Sequence, residues 1–205
     1  MQESMEPVTA ILIVVIVLIS VVIHEVSHGY AALWLGDTTA YYEGRLTLNP
    51  LKHLDWFGSV LLPLLLSFSG VIFGWAKPVP YNPYNLRNRR WGELAVAIAG
   101  PVSNLLLAFI FGTFIRFIGT DSSMFMVAAL IVQVNIVLAV FNLIPIPPLD
   151  GSKILFALFP KQYGAWRDIL ERWGMLFVLL FIFFLWHLMT PVIQFLFALL
   201  TGIAL

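Results

Sequence analysis

Cysteine is absent from the 205 residues of this chain, and charged residues are scarce at 11%. Without cysteine there are neither disulfides nor thiolate metal ligands, so histidine, aspartate and glutamate are the strong ligands that remain. The charged fraction is less than half of the roughly 25% that is typical of soluble domains. The formal net charge is zero, so charge gives no reason to expect nucleic acid as a partner.

Hydrophobic residues, in contrast, make up 60% of the chain, and the mean hydropathy is +0.94. This composition and its long apolar runs predict an all-α polytopic membrane protein in contact with a lipid bilayer. We expect helices over residues 8–35, 91–118 and 123–142, and a C-terminal membrane hairpin or broken helix over residues 173–205. Thr190-Pro191 is the expected break in that tail. The whole chain is interpreted as a single integral-membrane domain with its core at about 8–160.

His24 and His28 lie one helical turn apart in the first apolar run, with Glu25 between them. At this spacing both imidazoles project from one helix face and can bind one Zn²⁺, while the glutamate acts as general base towards a water. Ionisable residues at membrane depth are costly and usually functional, which favours a metal site. The alternative, a helix end with histidines in headgroup water, explains neither the spacing nor the glutamate.

A catalytic zinc normally has three protein ligands, so two histidines predict a third residue elsewhere. Asp150 follows three prolines within four residues, which end the preceding helix and hold the backbone extended. The other acidic residues lie in charged loops or in the terminal segment, so Asp150 is the best-placed carboxylate. The alternative is that Asp150 only caps a short helix over residues 151–159.

The segments between the helices also carry patterns. Within residues 40–50, Arg45, Thr47 and Asn49 alternate with Leu46 and Leu48, which predicts a strand beside the metal that holds an extended substrate, or else an ordinary interfacial loop. Glycine, proline and serine interrupt the apolar stretch 56–75, so we expect a re-entrant segment there. On the helix expected over residues 91–118, Ala95, Ala99 and Ser103 form a stripe that predicts close helix packing.

Four motifs in this order resemble the site-2 protease family of intramembrane zinc metalloproteases. They are His24-Glu25-xx-His28, Gly44-Arg45-Leu46-Thr47-Leu48-Asn49-Pro50, Gly100-Pro101-xx-Asn104 and Asn142-Leu143-Ile144-Pro145-Ile146-Pro147-Pro148-Leu149-Asp150-Gly151. The resemblance covers roughly residues 8–160. It implies a three-helix catalytic core with a re-entrant β-like element after the first helix, and no PDZ-like or nucleotide-sensing domain is recognisable in the sequence.

The same resemblance implies a role for each motif. His24, His28 and Asp150 would be the ligands of one zinc per chain, and Glu25 the catalytic base. Asn142 would help to bind the scissile carbonyl or its oxyanion. Arg45, Thr47, Asn49 and Asn104 are the residues that we predict to contact the substrate.

The proposed metal site predicts which loops lie on the same side of the membrane, and the distribution of basic residues supports that prediction. If Asp150 meets His24 and His28, the ends of the helices expected over residues 8–35 and 123–142 lie on one membrane side. That side then carries ten of the eleven basic residues, and Arg116 alone lies opposite. By the positive-inside rule the site faces the cytoplasm and the N-terminus lies outside, in what we expect to be a prokaryotic cell membrane.

The sequence thus predicts a membrane-embedded zinc endopeptidase that cleaves a transmembrane protein in or next to its membrane segment. Two alternatives use the same residues: a metal-cation transporter, and a non-catalytic relative that binds a membrane partner. Glu25 separates the first alternative from the enzyme, because transport needs no base beside a water.

Overall fold

The computed structural model describes residues 7–55, 77–159 and 164–203. They form seven α-helices, numbered here in chain order: α1 Pro7–Trp34, α2 Thr39–Tyr42, α3 Arg89–Ile118, α4 Phe125–Asn142, α5 Asp150–Leu158, α6 Gly164–Leu180 and α7 Thr190–Thr201. Two 3₁₀ turns, Pro50–Lys52 and Pro83–Asn85, lie in the connections between α2 and α3. No strand occurs in these described ranges, and the all-α prediction is confirmed.

Four helical segments within the described residues are long and apolar enough to cross a membrane. These segments are Val8–Trp34, Arg89–Ile118, Phe125–Asn142 and Arg167–Leu188. Large apolar side chains such as Val14, Phe109 and Phe117 are exposed on their surfaces, as expected for helices that face lipid. The chain is therefore a multi-pass membrane protein.

The long helix α3 is the centre of the bundle and packs against α1, α4, α5 and α7. Its buried face is a row of mostly small residues: Gly92, Val96, Gly100, Asn104, Ala108 and Gly112. Small side chains at this spacing let neighbouring helices approach closely. The predicted stripe through Ala95, Ala99 and Ser103 is displaced by one residue from this face, and Ala95 is exposed.

The predicted strand over residues 40–50 is wrong. Residues 39–42 form helix α2, and the Gly44 and Arg45 N–H groups donate back to the carbonyls of Tyr41 and Ala40. Gly44 adopts a positive φ of 63°, which reverses the chain direction. Two of the main-chain donors in this stretch are thus used by local hydrogen bonds, and the alternating residues 45–49 are not part of a strand.

Asp37 ties the end of α1 to the loop that precedes α3. Its carboxylate accepts hydrogen bonds from the Thr39 N–H and hydroxyl, the Asn85 side chain and the Asn82 N–H, at 2.6–3.2 Å. Asp37 is only 1% exposed. Burial alone would raise the pKa of Asp37, but the hydrogen bonds from Thr39, Asn85 and Asn82 hold that pKa below its usual range.

The predicted re-entrant segment, residues 56–75, lies outside the described residues. Its flanks are described: the Lys77 N–H donates to the His53 carbonyl at 2.8 Å. The His53 ring in turn contacts the Thr47 carbonyl at 2.8 Å. Residues 45–53 and 77–80 therefore meet, and this pair of loops covers α1 near its C-terminal end.

The C-terminal part is a helix whose geometry changes twice. After α6 the chain forms a π-helical segment, Phe181–Leu185, and a 3₁₀ turn, Trp186–Leu188, before α7 begins at Thr190. The Trp186 ring lies 6.3 Å from that of Phe141 near the end of α4. At the other end of α7, Arg116 of α3 donates to the carbonyls of Leu199 and Leu200. The tail is thus a broken helix whose last part runs along α3 and α4.

Candidate metal centre and active site

Three side chains from two helices meet at one point in the bundle. His24 and His28 lie on α1, and Asp150 is the first residue of α5. The Nε2 atoms of the two histidines are 3.0 Å apart, and each lies 3.1 Å from Oδ2 of Asp150. All three residues are buried, with exposures of 5–7%. The structure therefore brings together the three residues that the sequence predicted as metal ligands.

The outer nitrogen of each imidazole has an oxygen partner. His28 Nδ1 lies 2.6 Å from the main-chain carbonyl of Val96, and His24 Nδ1 lies 2.6 Å from Oδ1 of Asn104. A carbonyl oxygen only accepts, so the ring hydrogens belong on Nδ1 and the lone pairs of Nε2 point into the cluster. This is the tautomer that a metal-binding histidine needs.

The Asn104 side chain is itself oriented by a second asparagine. Asn135 Nδ2 donates to the Ile131 carbonyl and to the Ser20 hydroxyl, which turns its oxygen towards Asn104 Nδ2 at 2.8 Å. Asn104 therefore has to direct its own oxygen at His24. Asn104 and Asn135 are 0% exposed, so this chain of hydrogen bonds from α4 through α3 to α1 is protected from water.

Gly100 leaves room in front of the histidine nitrogens. A Cβ added there would lie 2.6 Å from His24 Nε2 and closer still to His28 Nε2. The space that a side chain at residue 100 would fill is thus the space that the two Nε2 atoms face. The predicted packing role of this stretch and a role in the metal site are therefore compatible, because α3 faces the two Nε2 atoms at a residue that has no side chain.

The donor set fits a zinc ion. Two nitrogen lone pairs and a carboxylate oxygen at about 3 Å repel one another unless a cation lies between them. In a tetrahedral zinc site with bonds of about 2.0–2.1 Å, the ligand atoms are about 3.3–3.4 Å apart, close to the distances seen here.

Asp150 has no role as a helix cap. The residue in the N-cap position of α5 is Leu149, and no side-chain hydrogen bond caps this helix. The second Asp150 oxygen instead accepts from Lys153 Nζ at 3.3 Å. The carboxylate is therefore directed at the histidines and at one lysine.

Glu25 has a main-chain partner that the sequence analysis did not identify. Its Oε2 accepts a hydrogen bond from the Val79 N–H at 2.9 Å. Val79 lies in the proline-rich loop before α3, which crosses α1 beside the metal cluster. A backbone donor has no signature in the side-chain pattern, so only the folded arrangement reveals it.

The other predicted site residues have different positions. Arg45 is 7% exposed and donates to the carbonyls of Lys77 and Pro78. The Thr47 hydroxyl accepts from the Asn49 N–H, and the Asn49 side chain caps the following 3₁₀ turn. Asn142 Nδ2 donates to the Leu138 carbonyl one turn earlier in α4, at 2.9 Å. Together with Asn104, these residues shape the loops or orient other groups, and their predicted contact with substrate stays a prediction.

Comparison with known proteins decides the family. A model described as "Peptidase family M50" matches residues 119–185. YwhC of Bacillus subtilis is 41% identical over 181 residues, which cover 83% of this chain and 80% of YwhC. The chain belongs to peptidase family M50. The resemblance to site-2 proteases that the motifs carry is therefore confirmed.

Two further relatives of this M50 chain come from distant organisms. Rip2 of Mycolicibacterium smegmatis is 33% identical over 164 residues, covering 78% of this chain and 62% of Rip2. MJ0611 of Methanocaldococcus jannaschii is 31% identical over 153 residues, covering 71% and 72%. The words "zinc metalloprotease" stand in the names of all three relatives. No solved structure shows significant similarity to the chain. This M50 protein is a zinc metalloprotease, and zinc is its cofactor.

Proposed function

We propose that this protease hydrolyses peptide bonds within or next to the transmembrane segments of other membrane proteins. The observation that carries the proposal is the depth of the buried cluster. His24 lies 16 residues after Val8, about 24 Å along a helix at 1.5 Å per residue, which is within a hydrocarbon layer of about 30 Å. A peptidase site at this depth is more accessible to the membrane-embedded segments of other proteins than to soluble proteins.

His24, His28 and Asp150 would hold the zinc, which when bound lowers the pKa of a water and polarises the scissile carbonyl. Glu25 would take a proton from that water on Oε1, the oxygen that Val79 does not occupy, and later return it to the leaving amine. A carboxylate held at one oxygen and free at the other suits this transfer.

Asn142 would stabilise the negative charge that develops on the carbonyl oxygen. Its side chain stands at the end of α4, eight residues before Asp150. An asparagine amide has two hydrogens, and the bond to Leu138 uses one of them. The other hydrogen is the donor that we assign to the oxyanion.

A substrate helix has to unwind before cleavage, because its peptide groups are bonded within the helix. We therefore expect preferred substrates to carry glycine, proline or asparagine near the cleaved bond. These residues lower helix stability by about 0.5–3 kcal/mol each, depending on the residue. The site would act near the cytoplasmic end of the substrate segment, in line with the basic residues on that side of the chain.

The test compares wild type with Glu25→Gln at matched zinc content, on a panel of reconstituted membrane substrates. Loss of a general base lowers rates typically about 10²–10⁴-fold, so the variant should keep its zinc and leave substrate uncut. Glu43→Gln is the matched control, since Glu43 is an exposed carboxylate on the same membrane side.

Equal cleavage by wild type and Glu25→Gln would refute the role of Glu25 as base. A zinc-loaded wild type that cuts none of the panel would refute the proposed activity. Zinc flux that is insensitive to Glu25→Gln would then favour the transporter. Full zinc retention in Asp150→Ala would remove Asp150 from the ligand set.

A further inference from the structure

The segment Pro78-Val79-Pro80 has an unusual hydrogen-bonding capacity. Proline has no N–H group, so Val79 supplies the one main-chain donor of these three residues. That donor is bonded to Oε2 of Glu25 at 2.9 Å. The segment therefore has no main-chain donor left over, because its one N–H is bonded to Glu25.

Packing holds the same segment against α1. Gly29 lies one helical turn after Glu25 on the same face of α1. A Cβ added at Gly29 would approach Val79 Cγ1 to 2.8 Å and would also clash with Leu46. The valine side chain therefore sits directly on the helix backbone, which places its N–H level with the Glu25 carboxylate.

Arg45 fixes the segment from the other side. Its Nη2 donates to the Lys77 carbonyl at 2.9 Å and to the Pro78 carbonyl at 3.2 Å. The Pro78 carbonyl and the Val79 N–H belong to the same peptide group. A planar peptide transmits orientation from one atom to the other, so a guanidinium that holds the oxygen also aims the N–H.

We propose that the Val79 N–H, aimed by Arg45, positions the Glu25 carboxylate for its work as the base. Arg45 is thus a positioning residue of the active site and does not touch the substrate. The inference rests on the proposed role of Glu25. Arg45, the buried arginine of the Gly44–Pro50 motif, would then contribute to the reaction without contacting the reacting atoms.

The physical reason is orientation. A free glutamate rotates about three side-chain bonds, whereas a carboxylate held at Oε2 presents Oε1 in one direction. A hydrogen bond to a charged group is stronger than one between neutral groups. Its loss should therefore reduce turnover measurably while the metal ligands stay in place.

The decisive pair of variants is Val79→Pro and Val79→Ala. Proline removes the N–H and suits an extended segment that already has proline on both sides, whereas alanine keeps the N–H and shortens the side chain. We expect Val79→Pro to lower kcat about 10- to 100-fold, with KM and zinc content close to those of wild type. Val79→Ala keeps the N–H and should therefore lower kcat less than Val79→Pro does, and Arg45→Gln should lower kcat in the same direction.

A binding measurement separates positioning from substrate contact. Glu25→Gln protein should retain uncut substrate equally well with and without the added Val79→Pro change. In the Glu25→Gln background, Val79→Pro should have no further effect on residual turnover. The side chain at residue 25 can then no longer act as a base, so its position does not matter for the proton transfer. A weakened retention or a raised KM would overturn the proposal in favour of substrate binding by this segment.

Hydrogen exchange tests the contact without any activity. Val79 carries the one exchangeable main-chain hydrogen of residues 78–80, so the mass of a short peptide reports on it directly. Its exchange should be slow in wild type and at least about 10-fold faster in Glu25→Ala and in Arg45→Gln. Unchanged exchange in both variants would overturn the proposal, even if no substrate were cut. Equal kcat for Val79→Pro and Val79→Ala in a protein that cleaves substrate would also overturn it, and leave the proposed function intact.

Discussion

Replacement of Asn104 by alanine tests how far the metal site depends on residues that never touch the metal. The change removes the oxygen that accepts the His24 Nδ1 hydrogen at 2.6 Å and the amide that donates to Asn135 at 2.8 Å. The ring hydrogen of His24 is then buried without a partner, at a cost of about 1–3 kcal/mol. Loss of such an outer partner typically weakens metal binding about 10- to 100-fold, or about 1.4–2.7 kcal/mol.

The assay is zinc competition against a chelator in detergent, together with thermal unfolding of the metal-free protein. Asn135→Ala is the control, because it breaks buried hydrogen bonds to Ser20 and Asn104 but leaves the bond to His24. Both variants should lose stability, and only Asn104→Ala should lose zinc affinity by the full factor. Equal zinc affinities in the two variants would refute the idea that Asn104 acts through His24.

Three further predictions follow from other parts of the structure. Gly100→Ala should abolish zinc binding in a protein that still enters the membrane, because the alanine Cβ would fill the space in front of the Nε2 atoms of both histidines. A normal zinc content by elemental analysis would contradict this prediction. Asp37→Asn should lower thermal stability at pH 7 more than at pH 3. A carboxylate whose pKa is lowered in the folded state stabilises the fold above its unfolded pKa of about 4, and this contribution is lost as the pH falls through the folded-state pKa. An equal effect at both pH values would argue that the charge of Asp37 does not stabilise the fold. Reporters fused after Leu51 and after Asn85 should read the same membrane side, because the flanks of residues 56–76 meet at His53 and Lys77. That side should be the cytoplasm, since it carries ten of the eleven basic residues. Opposite readings would mean that residues 56–75 span the membrane.

The sequence predicted those features that depend on spacing along one helix. His24 and His28 share a face because they are four residues apart, and no tertiary information is needed for that. Asp150 was predicted by chemical elimination and by the prolines before it, and the structure places it 3.1 Å from both histidines. The helices α3 and α4 begin within about two residues of their predicted starts.

Features that depend on how the elements meet were harder to predict. The packed face of α3 differs from the predicted stripe by one residue, because small residues are abundant on both faces and only contact with α1 selects between them. The pairing of Asn104 with Asn135 depends on the relative height of two helices, which periodicity does not give. Residues 45–49 do alternate, but they form no strand, and the Gly44 and Arg45 N–H groups bond to the carbonyls of Tyr41 and Ala40. Val79 acts through its main chain and leaves no trace in the residue pattern.

The distance along the chain between the two halves of the metal centre has a consequence for synthesis. His24 and Asp150 are 126 residues apart. At about 5–20 residues per second, the ribosome adds the aspartate roughly 6–25 s after the histidines. During that interval the two histidines lack the carboxylate that completes their ligand set. The three-residue ligand set is therefore complete only after about three quarters of the chain has been synthesised.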